Sequence, residues 1–247
     1  MNIVEYDNYI QFKRLMEYEN ICHLFTKKPF NFNNELVGEE KIWKEYNQIY
    51  DIFSTRFVRK SPCQCHSDVV KVVTRENITD KFEDCDGLIT NLHGVMLVTR
   101  VADCQAILLY DPVRGVIGNV HSGWRGTLEE IVIKAIDKMS AHYNSSVSDI
   151  LIFINPSILK CCFEVGSDVL EKFRSKFSDI DEFVSIVDGS YYIDTVSLNK
   201  KLLVKRGILA DNMYVTDICT KCNSNKFHSY RSDGDNSGRN IAVIGIK

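Results

Sequence analysis

The chain has 247 residues, 45% hydrophobic and 26% charged, the balance of a globular protein with a sizeable core. A net charge of −3 leaves no basic footprint for nucleic acid, and no apolar run approaches the ~20 residues of a membrane span. Only 4 prolines and 13 glycines argue against a disordered or fibrous chain.

The opening stretch MNIVEYDNYIQFKR lacks a basic start followed by an apolar run, so it is not read as a secretory signal. Residues 1–60 mix alternating and helical patterns, with a surface helix expected over 39–50. Residues 68–74 (DVVKVVT) read as a β-branched strand. Two apolar runs of strand length follow at 94–100 (GVMLVTR) and 105–110 (QAILLY). Asp111-Pro112 breaks the chain, and 115–120 (GVIGNV) forms a return strand, so Asp103, Cys104 and His121 fall at strand ends.

Thr127 and Glu130 have the spacing of a capping box. They predict a helix whose core face is Leu128, Val132, Ala135, Ile136 and Met139. Residues 150–154 (ILIFI) read as a buried strand stopped by Asn155-Pro156. Ser167 starts a second helix that buries Val169, Leu170, Phe173 and Phe177. Asp194-Thr195 starts a third, with Leu198, Leu202 and Leu203 inside and Gly207 as its C-terminal cap. Residues 240–246 form a last strand. This alternation gives an α/β or α+β class, with the pairing directions open. No repeat and no Pro/Gly/Ser-rich linker divides the chain, so one domain over 1–247 is expected.

Nine cysteines, an odd number, without a secretory signal point to free thiols in a reducing, cytoplasmic compartment. Cys219-Thr220-Lys221-Cys222 is a Cys-x-x-Cys, but a zinc ribbon needs a second pair of similar spacing. Cys63 and Cys65 are one residue too close, and Cys161 and Cys162 are adjacent. These thiols are therefore read as separate buried or surface cysteines, dispensable for metal.

Three residues carry the chemistry expected of a metal site: His66, Cys104 and His121. Two imidazoles and one thiolate suit Zn²⁺ and leave a fourth position open. Such an ion brings the pKa of bound water towards ~7. The plainer alternative is a buried thiol with two ordinary histidines. The loop Ser122-Gly123-Trp124-Arg125-Gly126-Thr127 runs into the expected helix. Its backbone N–H groups at Gly123 and Gly126, with the Arg125 guanidinium, would receive an anion such as phosphate. The alternative there is a tight turn with a solvated Arg. Trp124 reads as a packing anchor for the loop.

Taken in order, these motifs resemble the YfiH-type, laccase-domain family, whose older label is multicopper polyphenol oxidase. Val101-Ala102-Asp103-Cys104-Gln105 and Val120-His121-Ser122-Gly123-Trp124-Arg125-Gly126-Thr127 resemble its T-A-D-C-x-P and A-x-H-A-G-W-R-G patterns. Gln64-Cys65-His66-Ser67, Asp86-Gly87-Leu88-Ile89-Thr90, Asn155-Pro156-Ser157-Ile158 and Cys162-Phe163-Glu164-Val165-Gly166 follow in the family's order. Cys219-Thr220, Phe227-His228-Ser229-Tyr230-Arg231 and Gly238-Arg239 complete it. The likeness covers about residues 60–247, and residues 1–60 match weakly. Ser67, Val101, Ala106 and Asn155 replace the usual Gly, Thr, Pro and Gly. Residues 23–28 (HLFTKK) are the remnant of an N-terminal F-S-T-R-x-G-G, with Lys28 in the Arg position.

The resemblance implies a four-layer α/β/β/α sandwich with mixed sheets and a zinc site at His66, Cys104 and His121; copper is the other metal the family label implies. It implies a purine nucleoside phosphorylase acting on adenosine, inosine, guanosine or methylthioadenosine, with adenosine deamination as a further activity. The expected substrate-side residues are Gly123, Arg125, Gly126, Ser229 and Arg231; Asp103 and Glu164 are candidates for proton transfer, the alternatives being a turn-forming residue and a helix-entry charge. Editing of peptidoglycan precursors, cysteine hydrolysis with Cys104 as nucleophile and His121 as base, and a non-catalytic binding module are the alternatives. Four-copper oxidase chemistry needs many histidines in His-x-His pairs, and this chain has six with no such pair. The usual zinc deaminase signature, His-x-Glu with Pro-Cys-x-x-Cys, is absent.

Overall fold

The computed structural model describes residues 2–247. In chain order the elements are β1 (Ile3–Glu5), β2 (Tyr9–Phe12), α1 (Lys13–Met16), β3 (Ile21–Thr26), α2 (Asn34–Val37), α3 (Glu39–Phe53), β4 (Val58–Lys60) and β5 (Val70–Val72). Then come β6 (Gly87–Thr90), β7 (Val95–Val101), β8 (Gln105–Asp111), β9 (Val116–Ser122), α4 (Trp124–Leu128), α5 (Ile131–Tyr143), β10 (Leu151–Ile154) and β11 (Glu164–Val165). The chain ends with α6 (Ser167–Lys176), β12 (Val184–Val187), β13 (Ser190–Ile193), α7 (Thr195–Arg206), β14 (Met213–Val215), α8 (Tyr230–Asp233) and β15 (Asn240–Ile246).

Two six-stranded sheets form the centre, ordered β1-β2-β3-β15-β7-β4 and β14-β10-β8-β9-β6-β5, with a small β11-β13-β12 sheet beside them. Each large sheet is mixed: β4 runs parallel to β7, and β5 to β6, while the central pairs are antiparallel. The period of two decides the layering. On β15, Ala242, Ile244 and Ile246 enter the core between the sheets, while Ile241 and Val243 face the layer of α3. On β8, Ala106, Leu108 and Tyr110 enter the same central core, and Ile107 and Leu109 pack under α5. Helices therefore cover both outer faces, and the order is α/β/β/α, as the sequence resemblance implies.

One buried polar residue ties the two sheets together. Asn119 on β9 accepts from Thr99 Oγ1 at 2.7 Å and donates to the carbonyls of Leu97 (3.1 Å) and Ala242 (2.9 Å). Leaving such a group unpaired in the core would cost about 1–3 kcal/mol. No helix among the described residues is long and apolar enough to cross a membrane.

Several elements differ from the sequence expectations. The helix expected over 39–50 runs on to Phe53 and is amphipathic rather than superficial, burying Tyr46, Ile49, Tyr50 and Phe53. The 68–74 strand is paired only over Val70–Val72. The Thr127/Glu130 capping box does not form. Glu130 has a positive φ of 58°, which splits the segment into α4 and α5. Thr127 lies inside α4, and its hydroxyl is engaged by Ser122 (3.1 Å) and Asn199 (3.2 Å). The expected core face is otherwise present, with Val132, Ala135, Ile136 and Met139 buried. Asp194 and Gly207 cap α7 as expected; Asp194 accepts from the Ser197 N–H at 2.9 Å.

Candidate active site

Strand ends bring the three expected ligands together. Cys104 sits in the tight turn between β7 and β8, where Asp103 takes a φ of 85°. His121 is next to last in β9, and β8–β9 pairing sets it opposite Ala106. His66 comes from the loop between β4 and β5 at a φ of 61°, a left-handed conformation a non-glycine residue adopts only when held there.

The holder is Asp86, fully buried at the start of β6. Its carboxylate accepts from the backbone N–H groups of Cys65 (3.2 Å), His66 (3.1 Å) and Ser67 (2.6 Å), and from the Ser67 hydroxyl (2.8 Å). It also accepts from His121 Nδ1 at 2.7 Å. That bond fixes the tautomer and leaves Nε2 as the free ligand atom of His121, the arrangement usual behind a metal-bound imidazole. Burial alone would raise the Asp86 carboxyl. The hydrogen bonds from His121 and Ser67 outweigh it and hold the group well below the usual carboxylate range.

The ligand atoms of His66, Cys104 and His121 all lie within 4.8 Å of one another, with Cys104 Sγ 4.0 Å from His66 Nε2. Burial opposes ionisation of the Cys104 thiol, but the charge of His121 and the hydrogen bonds of both histidines bring it down to about 6. Burial likewise opposes protonation of His121, yet the Cys104 thiolate and Asp86 raise it to about 9. The group thus favours a thiolate, the form that binds metal. Gly123 completes the cradle. A Cβ there would stand 3.0 Å from His66 Cδ2 and 3.1 Å from Cys104 Sγ, so a larger residue would push both ligands by a few tenths of an ångström. Two imidazoles, one thiolate, a carboxylate behind one imidazole and an open side fit a divalent metal.

The open side faces a cleft of about 650 Å³. Arg100, Arg231 and Arg239 supply its positive charge, and Phe32, Trp124, Phe163 and Tyr230 its aromatic surface. Gln64 braces the rim, exchanging two 2.8 Å hydrogen bonds with the backbone of Arg100. Asp103 also lines the cleft, but both its oxygens are engaged, by the Thr220 hydroxyl (2.6 Å) and the Arg231 N–H (2.7 Å). The Arg231 guanidinium donates to the carbonyls of Cys162 (3.1 Å) and Glu164 (3.0 Å).

Of the residues picked out by sequence, the cleft gathers His66, Cys104, His121, Asp103, Gly123 and Arg231. Others lie elsewhere. Arg125 is exposed outside the cleft, its guanidinium stacked 4.4 Å over the Trp124 ring. Gly126 is buried within α4. Ser229 is buried with a hydroxyl that finds no partner among the described residues. The Glu164 carboxylate is exposed and accepts from Ser190 (2.6 Å). Lys28 points at the Ser224 carbonyl (2.7 Å) rather than into the cleft.

Sequence reasoning passed over Asp86, Gln64, Arg100, Arg239 and Phe32. Asp86 stood inside a recognised motif, but spacing carries no sign that one carboxylate collects so many donors. The separation expected of Cys161, Cys162, Cys219 and Cys222 is also corrected, because their sulfurs converge within 4.8 Å. The cause is long-range: a bridge between Ser157 and Cys219 folds the later loop onto the earlier one.

Known proteins place this geometry. Residues 39–247 match the sequence profile of the family described as multi-copper polyphenol oxidoreductase laccase. A Clostridium acetobutylicum protein named purine nucleoside phosphorylase is 32% identical over 249 residues, covering 99% of each chain. A protein of an unknown prokaryotic organism named adenosine deaminase RL5 is 32% identical over 192 residues, covering 74% of this chain and 73% of its own. The crystal structure of the Bacillus licheniformis hypothetical protein YfiH superposes with a TM-score of 0.89 at 26% identity, over 99% of both chains. With the four layers and the shared motifs already in view, this chain belongs to the YfiH-type, laccase-domain family.

Proposed function

We propose that this chain is a zinc-dependent purine nucleoside phosphorylase. The observation that carries the reading is the placement of His66, Cys104 and His121 at the floor of a cleft that also presents arginines and aromatic rings. Phosphorolysis needs an anion held in line with the anomeric carbon of the sugar, beside a surface for the base. Arg231 and Arg239, with Arg100 at the rim, hold the phosphate. Trp124 and Phe163 contact the purine.

Asp103 is a positioning residue: with Thr220 it fixes the backbone of Arg231, and through it the guanidinium. As a phosphate oxygen bonds to C1′, the bond to the purine nitrogen breaks and its electron pair leaves with the base, which takes up a proton. A metal bound at the His₂Cys site would supply Lewis-acid stabilisation of developing negative charge. Asp86 keeps His121 oriented and Gly123 keeps the floor open. Arg125 and Glu164, outside the cleft, take no part in the reaction.

Adenosine deamination is the second reading, favoured by the relative named adenosine deaminase RL5. Four-copper oxidase chemistry is disfavoured, because among the described residues only one metal-capable group contains histidine. The chain works as one domain on small molecules, without nucleic acid or membrane, in the cytoplasm. The pairing of β3 with β15 in one sheet supports the single domain. The test is release of free base from adenosine, inosine, guanosine and methylthioadenosine, with and without phosphate and chelator. Release that needs phosphate and stops with chelator is expected. Release indifferent to both would end the reading.

A further inference from the structure

Away from the cleft, a second set of sulfurs converges. Cys161 and Cys162 lie in the turn before β11, and Cys219 and Cys222 in the loop after β14. The four Sγ atoms all lie within 4.8 Å of one another. Cys222 is 3.4 Å from Cys162 and 3.7 Å from Cys161. Four thiolates around one Zn²⁺, with Zn–S of about 2.3 Å, sit about 3.8 Å apart along the tetrahedron edges. A disulfide would bring two sulfurs to about 2.05 Å. All four cysteines are free thiols, and the observed spacings match a shared ion.

The two arms are organised by the backbone before any ion arrives. Ser157 bridges to Cys219, the Thr220 N–H donates to the Ser157 carbonyl (3.0 Å), and the Ser157 N–H donates to Ile218 (3.3 Å). On the first arm the Cys162 N–H closes a turn onto Leu159 (2.9 Å). On the second, Asn223 donates to the Cys219 carbonyl from its backbone (3.1 Å) and its side chain (2.8 Å). Cys219 is buried, whereas Cys161 and Cys222 are open to solvent, so an ion has a route in.

We propose that Cys161, Cys162, Cys219 and Cys222 form a second metal site, an all-thiolate tetrahedron that takes one Zn²⁺. Four protein ligands leave no position for substrate, so the site is structural. It staples the segment carrying Ile158 and Phe163 to the loop leading into Tyr230 and Arg231, all of which line the cleft. The link is direct, since Arg231 donates to the Cys162 carbonyl. The site stands independently of the reaction assigned to the cleft.

The test is zinc per chain in the full-length protein, purified with reductant, saturated with zinc and desalted. Two zinc ions are expected in the wild type, one in Cys104→Ala, and one in the Cys161→Ser/Cys222→Ser double variant. Zinc X-ray absorption on Cys104→Ala should show a sulfur-only shell at about 2.3 Å. That reading needs no substitution in the quartet, so it holds even where the double variant fails to fold. A wild type with a single zinc that Cys104→Ala abolishes would overturn the proposal. So would loss of two hydrogens by intact mass in the reduced-purified protein, which marks a disulfide between these cysteines.

Discussion

The Asp86 carboxylate and the His121 imidazole meet at 2.7 Å, both side chains buried, and the same carboxylate holds the His66 backbone in its left-handed turn. One residue that touches neither cleft nor ion thereby sets the direction of two of the three ligands. Replacing it separates orientation from ligation. Asp86→Asn should keep most of the fold and weaken metal affinity about 10–100-fold, the usual effect of losing a carboxylate behind a metal-bound histidine. Competition against a chromophoric chelator reads this directly. Asp86→Ala should also lower stability, because the N–H groups of Cys65, His66 and Ser67 lose their acceptor at about 1–3 kcal/mol each if buried.

Gly123→Ala tests the close approach of backbone to ligands. The added methyl would press on His66 Cδ2 at 3.0 Å and Cys104 Sγ at 3.1 Å. The φ of −73° suits alanine, so the backbone is not strained. Reduced metal affinity with a melting temperature close to wild type is the expected outcome. Unchanged affinity would mean that the two ligands move freely.

The cations of the cleft separate from the cation beside it. Charge-assisted hydrogen bonds contribute about 1.5–3 kcal/mol each, so Arg231→Ala should raise the KM for phosphate about ten- to a hundredfold. Arg125→Ala should leave it within about twofold, since a solvated surface charge contributes little. Steady-state kinetics in varied phosphate decide between them; equal effects of the two substitutions would misplace the anion.

His23 on β3 makes folding sensitive to acid. Its Nε2 accepts from the Phe12 N–H at 2.8 Å, and Nδ1 is buried without a partner among the described residues. Burial pushes the imidazole down to about 3, against about 6.5 in an unfolded chain. The unfolded state therefore takes up a proton as pH falls through 6.5 while the folded state does not, and stability is lost downward over the range from 6.5 to 3. Between pH 6 and pH 4 the loss should be about 2 kcal/mol. Urea denaturation across that range measures it. His23→Gln, which can still accept from Phe12, should flatten the slope. His228, which burial also pushes down, and carboxylates held low such as Asp86 contribute the remainder.

The individual strands and helices were legible in the sequence because they rest on local pattern, whereas the four layers came only through the family resemblance. β7, β8, β10 and β15 appear as apolar runs within a residue or two of their observed ends, and α6 and α7 start where Ser167 and Asp194 mark them. The break at Glu130 was not legible. Thr127 and Glu130 have capping spacing, and only the tertiary pull of Ser122 and Asn199 on the Thr127 hydroxyl turns it inward. At the site, motif order carried His66, Cys104, His121 and Arg231. Arg125 shares a motif with Gly123 and Trp124, yet these two line the cleft while the Arg125 side chain is exposed and stacks on the Trp124 ring. The cysteine quartet was hidden because its halves are some sixty residues apart and meet only through the Ser157–Cys219 bridge.

The central claim is that the His66–Cys104–His121 cleft transfers a glycosyl group from a purine to phosphate. The most direct measurement is the amount of ribose 1-phosphate formed per purine released from inosine by the zinc-loaded protein, with Cys104→Ala in parallel. The account predicts one sugar phosphate for each base, and loss of both products in the variant. Free ribose in place of the phosphate ester, or equal base release by Cys104→Ala, would contradict it.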